Sequence, residues 1–91
     1  MPNSYFLQGK IIMKYDKNKV DEMTLALLWL NIFDDRDQKR CWKSFDWSVM
    51  DRLHDKGYIS DPKSKSKSVA LTEQGAAKSR GLFEKHFGIE V

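Results

Sequence analysis

The strongest pattern of apolar positions lies in residues 20–33, VDEMTLALLWLNIF, and it predicts a helix. Its leading stripe recurs at the spacing of one helical face and consists of Val20, Met23, Leu27 and Leu30. Further apolar residues fall on the other faces: Leu25, Leu28, Trp29, Ile32 and Phe33. A helix that is apolar nearly all round is covered from several sides. We expect either the central helix of the fold, which we favour, or a helix that also forms a dimer interface.

A second helix is predicted inside residues 41–57, CWKSFDWSVMDRLHDKG. Its apolar stripe comprises Trp42, Phe45, Val49 and Leu53. Asp46 is a natural N-cap, because its carboxylate can accept hydrogen bonds from the free amides of the first turn. Gly57 suits the left-handed position that follows a helix. We therefore place this helix at about residues 46–56.

The next pattern predicts a β-hairpin and a closing helix. Short β-type runs at residues 58–60 and 68–71 flank the segment DPKSKSK, where Pro62 favours a turn. Thr72 is then the N-cap of a last helix over about residues 73–87. The expected inner face of that helix comprises Ala76, Arg80, Phe83 and Phe87.

Two segments show no clear period. Residues 34–40, DDRDQKR, are interpreted as a solvated connector. Residues 1–19 contain β-type residues and are expected to form an edge strand or a flexible arm. Met13 could be an internal start, which would make residues 1–12 an upstream extension. The predicted domain organisation is thus an N-terminal arm, residues 1–19, followed by a single domain, residues 20–88.

Composition supports one small globular domain. The chain has 91 residues, of which 41% are apolar and 32% charged. The net charge of +3 is unevenly distributed, since residues 1–19 carry +3 and residues 58–72 carry +2, whereas residues 20–33 carry −2. The basic excess lies outside the apolar helices. This distribution permits nucleic-acid or acidic partners without requiring them.

Several classes of chemistry find no support in the sequence. Cys41 is the only cysteine, so neither an intramolecular disulfide nor a cysteine-based zinc site is expected. Basic neighbours could lower the pKa of its thiol, but its aromatic neighbours favour a buried and inert side chain. His54 and His86 lack a partner at metal-binding spacing. The glycine-rich phosphate-binding patterns are absent. We predict no catalytic residue, no cofactor, no metal and no small-molecule substrate, and hence not an enzyme.

The location expected from the sequence is the cytoplasm. The N-terminal segment MPNSYFLQGK lacks the apolar stretch of a secretory signal. The longest apolar run, Leu25–Leu30, is far shorter than the ~20 residues of a membrane-spanning helix. We therefore expect no membrane association.

The clearest binding signal is the lysine run between the two β-type segments. If the strand continues through the loop, Lys63, Lys65 and Lys67 project to one side. Their ammonium groups could then follow a phosphate backbone, and the hydroxyls of Ser66 and Ser68 could donate to phosphate oxygens. The alternative is a solvated turn whose lysines protect a sheet edge from aggregation.

A second candidate surface is apolar. It would join residues of the first helix to a tryptophan that lies off the stripe of the second helix, and its members are Leu25, Leu28, Trp29, Ile32 and Trp47. Such a surface would serve a homodimer or another protein partner. Aromatic residues at helical spacing are more often part of a core.

The phrase DRLHDKGYISDPKSKSKSVALTEQG resembles the C-terminal half of winged helix-turn-helix regulators of the MarR and PadR type. The match covers about residues 46–87. A longer stretch, about residues 13–87 with VDEMTLALLWL, CWKSFDW and LFEKHFG, resembles a family of small uncharacterised bacterial proteins, a domain-of-unknown-function family. In that family a small residue is usual at the position of Cys41.

The resemblance implies an α+β fold, mainly α and winged-helix-like, with three main helices and a two-stranded β-hairpin as the wing. It implies no established activity. A helix that enters the DNA major groove normally carries positive and amide side chains. The charged residues of the helix in that position are mostly acidic: Asp46, Asp51 and Asp55 against Arg52 and Lys56.

The leading functional hypothesis is a nucleic-acid-binding or transcription-regulator-like module that contacts double-stranded DNA through the hairpin lysines. The alternative is a protein-interaction or homodimerisation module that does not bind DNA. The lysine spacing and the winged-helix resemblance favour the first. The all-round apolar first helix and the acidic second helix favour the second.

Overall fold

Local capping and pairing signals produce three helices and an antiparallel sheet. The computed structural model describes residues 13–90 and, for the backbone alone, residues 6–7 and 10–11. The elements in chain order are β1 Phe6–Leu7, β2 Lys10–Ile11, α1 Lys17–Leu28, β3 Phe33–Asp35, β4 Gln38–Trp42, α2 Trp47–Asp55, β5 Ser68–Ala70 and α3 Glu73–Phe87. The α+β class with three main helices is confirmed. The interpretation of residues 1–12 as an upstream extension lies outside the described residues, whereas β1 and β2 pair as antiparallel strands.

Helix α1 is displaced from its predicted position. It begins at Lys17 because the Asp16 carboxylate accepts a hydrogen bond from the Lys19 amide at 3.0 Å. A 3₁₀ turn, Trp29–Asn31, follows it, and Phe33 already belongs to β3. The prediction of one helix over residues 20–33 is therefore wrong at both ends.

The buried face of α1 also differs from the predicted stripe. The buried residues are Asp21, Leu25, Ala26 and Leu28. Leu27 and Leu30, which belong to the predicted stripe, are 41% and 67% exposed. A similar difference occurs in α3, whose buried residues are Gly75, Ser79 and Leu82. The two buried faces meet where the Ser79 hydroxyl donates to the Leu25 carbonyl oxygen at 2.7 Å.

The sheet corrects two predictions. Residues 34–40 are not a solvated connector, because β3 and β4 pair as an antiparallel hairpin with Phe33 opposite Arg40. Arg36 makes the turn with φ of 60°, a left-handed conformation that glycine or asparagine usually supplies. Strand β5 pairs with the other edge of β4, which gives the strand order β3-β4-β5.

The hairpin predicted over residues 58–71 forms only in part. Its second run becomes β5, whose main partner is β4. Its first run contributes a single antiparallel bridge between Ile59 and Leu71. The two-stranded wing of the prediction is thus replaced by a three-stranded sheet with a loop beside it. The core lies between the helices and one face of this sheet and consists of Leu25, Ala26, Leu28, Cys41, Val49, Met50, Leu53, Ile59, Val69, Leu71 and Leu82.

Helix α2 begins and ends as its sequence predicts. The Asp46 carboxylate accepts hydrogen bonds from the amides of Ser48 and Val49, which confirms the N-cap. Gly57 follows the helix with φ of 83°. The amide of Tyr58 donates to the Leu53 carbonyl oxygen at 3.0 Å, as in a Schellman motif.

Thr72 connects the backbone that follows α2 to the first turn of α3. The Thr72 hydroxyl donates to the Gly57 carbonyl oxygen at 2.7 Å and accepts from the Gly75 amide at 2.9 Å. The Thr72 amide donates to the Tyr58 carbonyl oxygen at 3.0 Å. A Cβ atom on Gly75 would overlap that same carbonyl group. The first turn of α3 can therefore lie on the backbone at Tyr58 only because residue 75 is glycine.

Two glycines of α3 provide a matched test of this close approach. Gly75→Ala is expected to lower the free energy of unfolding by about 3 kcal/mol, because the added methyl group displaces backbone at Tyr58. Gly81→Ala has open space around its Cβ position and is expected to raise it by about 1 kcal/mol, since alanine favours helix. Urea denaturation followed by circular dichroism measures both. Equal effects of the two substitutions would contradict the proposed contact.

Candidate nucleic-acid interface

The predicted lysine run lies in a turn that is fixed at one end. We call residues 61–67 the lysine loop. The Asp61 carbonyl oxygen accepts from the Ser64 amide at 3.2 Å, and the Asp61 carboxylate accepts from the Lys63 amide at 2.9 Å. Pro62, which lies between Asp61 and Lys63 in the chain, is fully buried. This arrangement is a β-turn with aspartate and proline at their favoured positions.

The strand does not continue through the lysine loop, since β5 begins only at Ser68. The expected strand-like alternation of Lys63, Lys65 and Lys67 is therefore wrong. All three lysines are nevertheless exposed. They lie within one short loop, which keeps their positions in the chain close together without strand geometry.

Two cations of the β4 segment attach the lysine loop to the sheet. Arg40 Nε donates to the Ser68 hydroxyl at 2.8 Å, and Arg40 Nη2 donates to the Ser68 carbonyl oxygen at 2.9 Å. Lys43 Nζ donates to the Ser64 carbonyl oxygen at 2.6 Å, and the Lys43 amide donates to the Lys67 carbonyl oxygen at 3.0 Å. Sequence reasoning missed both residues as partners of the loop, because the hairpin that positions them was not predicted.

The two serines predicted to contact phosphate have structural roles. Ser68 is only 7% exposed, and its hydroxyl accepts from Arg40. The Ser66 hydroxyl accepts from the Ser68 amide at 3.2 Å. Ser68 is thereby removed from the candidate phosphate contacts. Ser66 remains exposed at the loop surface.

The three loop lysines carry charge that is not neutralised locally. Within residues 13–90, the ion pairs involve other cations, namely Lys39, Arg52, Lys56 and His86. None of the carboxylates in this part of the chain lies within ion-pair distance of Lys63, Lys65 or Lys67. A phosphate group that approached the loop would therefore meet free ammonium groups.

An exposed aromatic pair lies beside this loop. Trp42 is 57% exposed, and its ring stacks on Phe33 with centroids 4.8 Å apart. Side chains alternate along a strand, so Trp42 and Arg40 share the sheet face opposite Cys41. The prediction that Trp42 belongs to the core stripe of α2 is wrong, because Trp42 ends β4 instead. We call Phe33, Arg40, Trp42 and the lysine loop the basic–aromatic face.

Helix α2 is poorly suited to read DNA. Arg52 of α2 and Lys56, which caps its C-terminal end, are both bound to Asp21: Arg52 Nε lies 2.8 Å and Lys56 Nζ 2.9 Å from Asp21 Oδ2. Asp46, Asp51 and Asp55 therefore dominate the charge of α2. In addition, the β3–β4 hairpin occupies the chain position where a helix-turn-helix has its preceding helix.

The candidate apolar interface is only partly available. Leu25 and Leu28 are 1% and 0% exposed, so they belong to the core and cannot form an external contact. Trp29 and Ile32 are half-buried, and the Arg80 guanidinium lies 5.9 Å from the Trp29 ring centroid. Trp47 is 60% exposed at the first position of α2.

Cys41 lies in the core rather than in a reactive setting. It is 0% exposed, and its burial raises the pKa of the thiol to about 11. A thiol with that pKa is protonated at neutral pH, so it is a poor nucleophile. The described residues contain no group of three His, Cys, Asp or Glu side chains placed to share a metal ion.

A cleft of about 330 Å³ lies between the three helices. Its lining residues are Asn18, Asp21, Glu22, Leu25, Leu53, Lys56, Tyr58, Lys78, Leu82 and Lys85. Asp21 is bound by Lys56, and Glu22 Oε2 lies 2.9 Å from His86 Nε2. The carboxylates of the cleft thus have partners within the fold.

No helix among the described residues combines the length and the apolarity needed to cross a membrane.

Comparisons with known proteins point to one family. A family model described as "Domain of unknown function (DUF6429)" matches residues 16–89, which include all three helices and the three-stranded sheet. "Uncharacterized protein y4hR" from Sinorhizobium fredii is 47% identical over 75 residues, covering 82% of this chain and 97% of the relative. No solved structure matches the chain. These matches support the predicted unknown-function family and give no support to the resemblance to MarR and PadR regulators.

The buried Asp21 generates a prediction about acid stability. Burial alone would raise the pKa of its carboxyl, but the hydrogen bonds and charges of Arg52 and Lys56 hold that pKa below the ordinary value. The stabilising effect is therefore present above about pH 4 and is lost as the pH falls through the lowered pKa. We expect Asp21→Asn to lower the free energy of unfolding at pH 7 by about 3 kcal/mol. The difference from the wild type should shrink below about pH 4.

Glu22→Gln is the matched control, because Glu22 is the neighbouring carboxylate and its side chain is 32% exposed. We expect a clearly smaller loss at pH 7. Denaturant titrations at several pH values between 7 and 2.5 measure both differences. A Glu22→Gln loss as large as that of Asp21→Asn would show that the buried ion cluster has no special weight.

Proposed function

Because the chain belongs to the family described as "Domain of unknown function (DUF6429)", whose description gives no activity, we propose a function from the site itself: non-enzymatic binding of nucleic acid. The lysine loop provides the contact, through the phosphate backbone. The observation that carries the proposal is the cluster of three exposed ammonium groups without a carboxylate partner in residues 13–90. Phosphate contacts of this kind position a nucleic acid without reading its sequence.

The way in which the lysine loop is held supports this proposal. Lys43 donates to the Ser64 carbonyl oxygen of the loop, and Arg40 donates to the carbonyl oxygen of Ser68, the residue that follows the loop. Pro62, within the loop, is buried. A loop that is already ordered loses little conformational entropy when a ligand binds. The three lysines can therefore contribute their electrostatic attraction with a small ordering cost.

Double-stranded DNA is included in this proposal as a source of phosphates, and a transcription-regulator-like role would act through such contacts. Insertion of α2 into the major groove is not part of it. The basic residues Arg52 and Lys56 are held by Asp21, and the remaining carboxylates of α2 would repel phosphate.

Charge reversal at the loop tests the proposal. The variant Lys63→Glu, Lys65→Glu, Lys67→Glu is expected to lose at least about tenfold in affinity for a labelled random duplex at low salt. The wild-type affinity should fall as salt rises, because phosphate contacts release counterions. Fluorescence anisotropy measures both affinities at about 20 mM and about 150 mM salt, two concentrations that differ in how strongly they screen charges.

The matched control reverses three exposed lysines elsewhere: Lys14, Lys17 and Lys78. This control variant has the same net charge as the loop variant, so it separates local contact from overall charge. We expect it to retain most of the affinity. No binding of the wild type at low salt, or an equal loss in both variants, would overturn the proposal.

One observation favours the alternative, a protein-interaction or homodimerisation module. Leu27 and Leu30 lie three residues apart near the C-terminal end of α1 and are 41% and 67% exposed. Residues at this spacing share a helix side. Together they present apolar surface that a protein partner or a second copy could cover.

The homodimer form of this alternative predicts a mass of about twice 10.7 kDa in solution. Leu30→Lys should then restore the monomer, because it places a charge in the apolar contact. Ile89→Lys is the control, since Ile89 is 85% exposed and follows α3. Light scattering coupled to size-exclusion chromatography distinguishes the states. A wild-type monomer at every concentration would contradict the homodimer.

A further inference from the structure

We infer that the basic–aromatic face binds single-stranded nucleic acid, with Trp42 as the platform on which an unpaired base stacks. This inference rests on the proposed function and adds to it the class of nucleic acid. It assigns a binding role to Trp42, Phe33 and the outer face of the β3-β4-β5 sheet.

Trp42 is held in place by an aromatic neighbour. Its ring packs on Phe33 from one side, with an angle of 29° between the ring planes. The residue is nevertheless 57% exposed, so the contact with Phe33 leaves much of it open to solvent. An indole held on one side and open elsewhere is already oriented for stacking. Aromatic side chains of this kind bind the faces of unpaired bases in single-strand-binding proteins.

The lysine loop ends next to the strand that carries Trp42. Trp42 lies opposite Ser68 in the β4–β5 register, and Lys67 directly precedes Ser68. Lys43, which directly follows Trp42, donates its amide to the Lys67 carbonyl oxygen at 3.0 Å. The lysine loop is therefore joined, at its C-terminal end, to the end of the strand that carries Trp42. A strand whose base stacks on Trp42 has its neighbouring phosphates within the field of these lysines.

A single strand and a duplex differ in whether their base faces are accessible to Trp42. In a duplex the bases are stacked on one another, so a side chain on a sheet surface meets only their edges. Helix α2 packs into the core through Val49, Met50 and Leu53 and is not part of the basic–aromatic face. Only unpaired bases can present their faces to Trp42.

Arg40 has a positioning role in this arrangement. It shares the sheet face with Trp42, and its hydrogen bonds to Ser68 and to the Gln38 side chain oxygen hold its guanidinium against the sheet. It therefore holds the start of β5, where the lysine loop ends, against the strand that carries Trp42. Its guanidinium adds positive charge at the place where a stacked nucleotide would lie.

The test uses the full chain and four fluorescein-labelled probes of equal length: oligo-dT, oligo-U, a random duplex and an abasic DNA strand. We expect Trp42→Ala to weaken binding of oligo-dT, oligo-U or both by about tenfold, as the loss of one stacked base predicts. Binding of the duplex and of the abasic strand should remain within about twofold, since both depend on phosphate contacts alone.

Trp47→Ala is the matched control, because Trp47 is similarly exposed, at 60%, but lies on α2. It should bind all four probes like the wild type. Trp42→Phe keeps an aromatic face and should recover most of the lost affinity. Circular dichroism and thermal unfolding establish that each variant is folded before its affinity is compared.

The outcomes separate this inference from the proposed function. If wild type and Trp42→Ala bind the single strands equally while the loop variant still loses affinity, base stacking is excluded and phosphate binding stands. If the duplex binds as tightly as the single strands, the inference is overturned. If no probe binds the wild type at low salt, both proposals fall. A selective loss on oligo-U or on oligo-dT supports the inference and identifies RNA or DNA as the preferred strand.

Discussion

Asp21 is a carboxylate inside the protein that needs two cations from another helix, and this requirement shapes both the fold and its surface. A buried charge is strongly unfavourable unless it is paired. Arg52 and Lys56 satisfy it across the contact between α1 and α2. The same contacts withdraw the positive charge of α2 from any external ligand. As a consequence, the cations of the lysine loop, and not Arg52 or Lys56, are available to an external ligand.

A second constraint lies in the residues around Gly57 and Thr72, from which the sequence alone predicted a winged-helix pattern. The Thr72 side chain joins the end of α2 to the start of α3, and Gly75 lets the backbone at Tyr58 come close. Their contacts bring the end of α2 and the start of α3 together beside β5. The contacts of Thr72 and Gly75 lie within the fold, so these residues carry information about packing and not about activity.

The sequence predicted features whose causes are local. The N-caps at Asp46 and Thr72 and the left-handed Gly57 depend only on neighbouring residues, and all three are confirmed. The β3–β4 hairpin was missed because Arg36 occupies a left-handed turn position that has no glycine or asparagine to indicate it. Much of the candidate site was missed with it, because the hairpin places Trp42 on the outer face of the sheet.

The buried faces of α1 and α3 could not be predicted for a different reason. Each face contains a polar residue, Asp21 or Ser79, whose partners come from elsewhere in the chain. A search for apolar spacing ignores such residues and selects a stripe next to the true one. At the end of α1 and in the 3₁₀ turn that follows it, this leaves Leu27 and Leu30 outside the core.

The basic–aromatic face combines cations of two kinds, and the difference bears on how it would bind. Arg40 and Lys43 form short hydrogen bonds within the fold, so they stabilise the arrangement of the loop. The loop lysines make no such ion pair within residues 13–90 and are free to meet a ligand. Electrostatic attraction alone does not distinguish one nucleic acid from another. Any selectivity of the proposed binding would have to come from another group, and Trp42 is the exposed aromatic residue of this face.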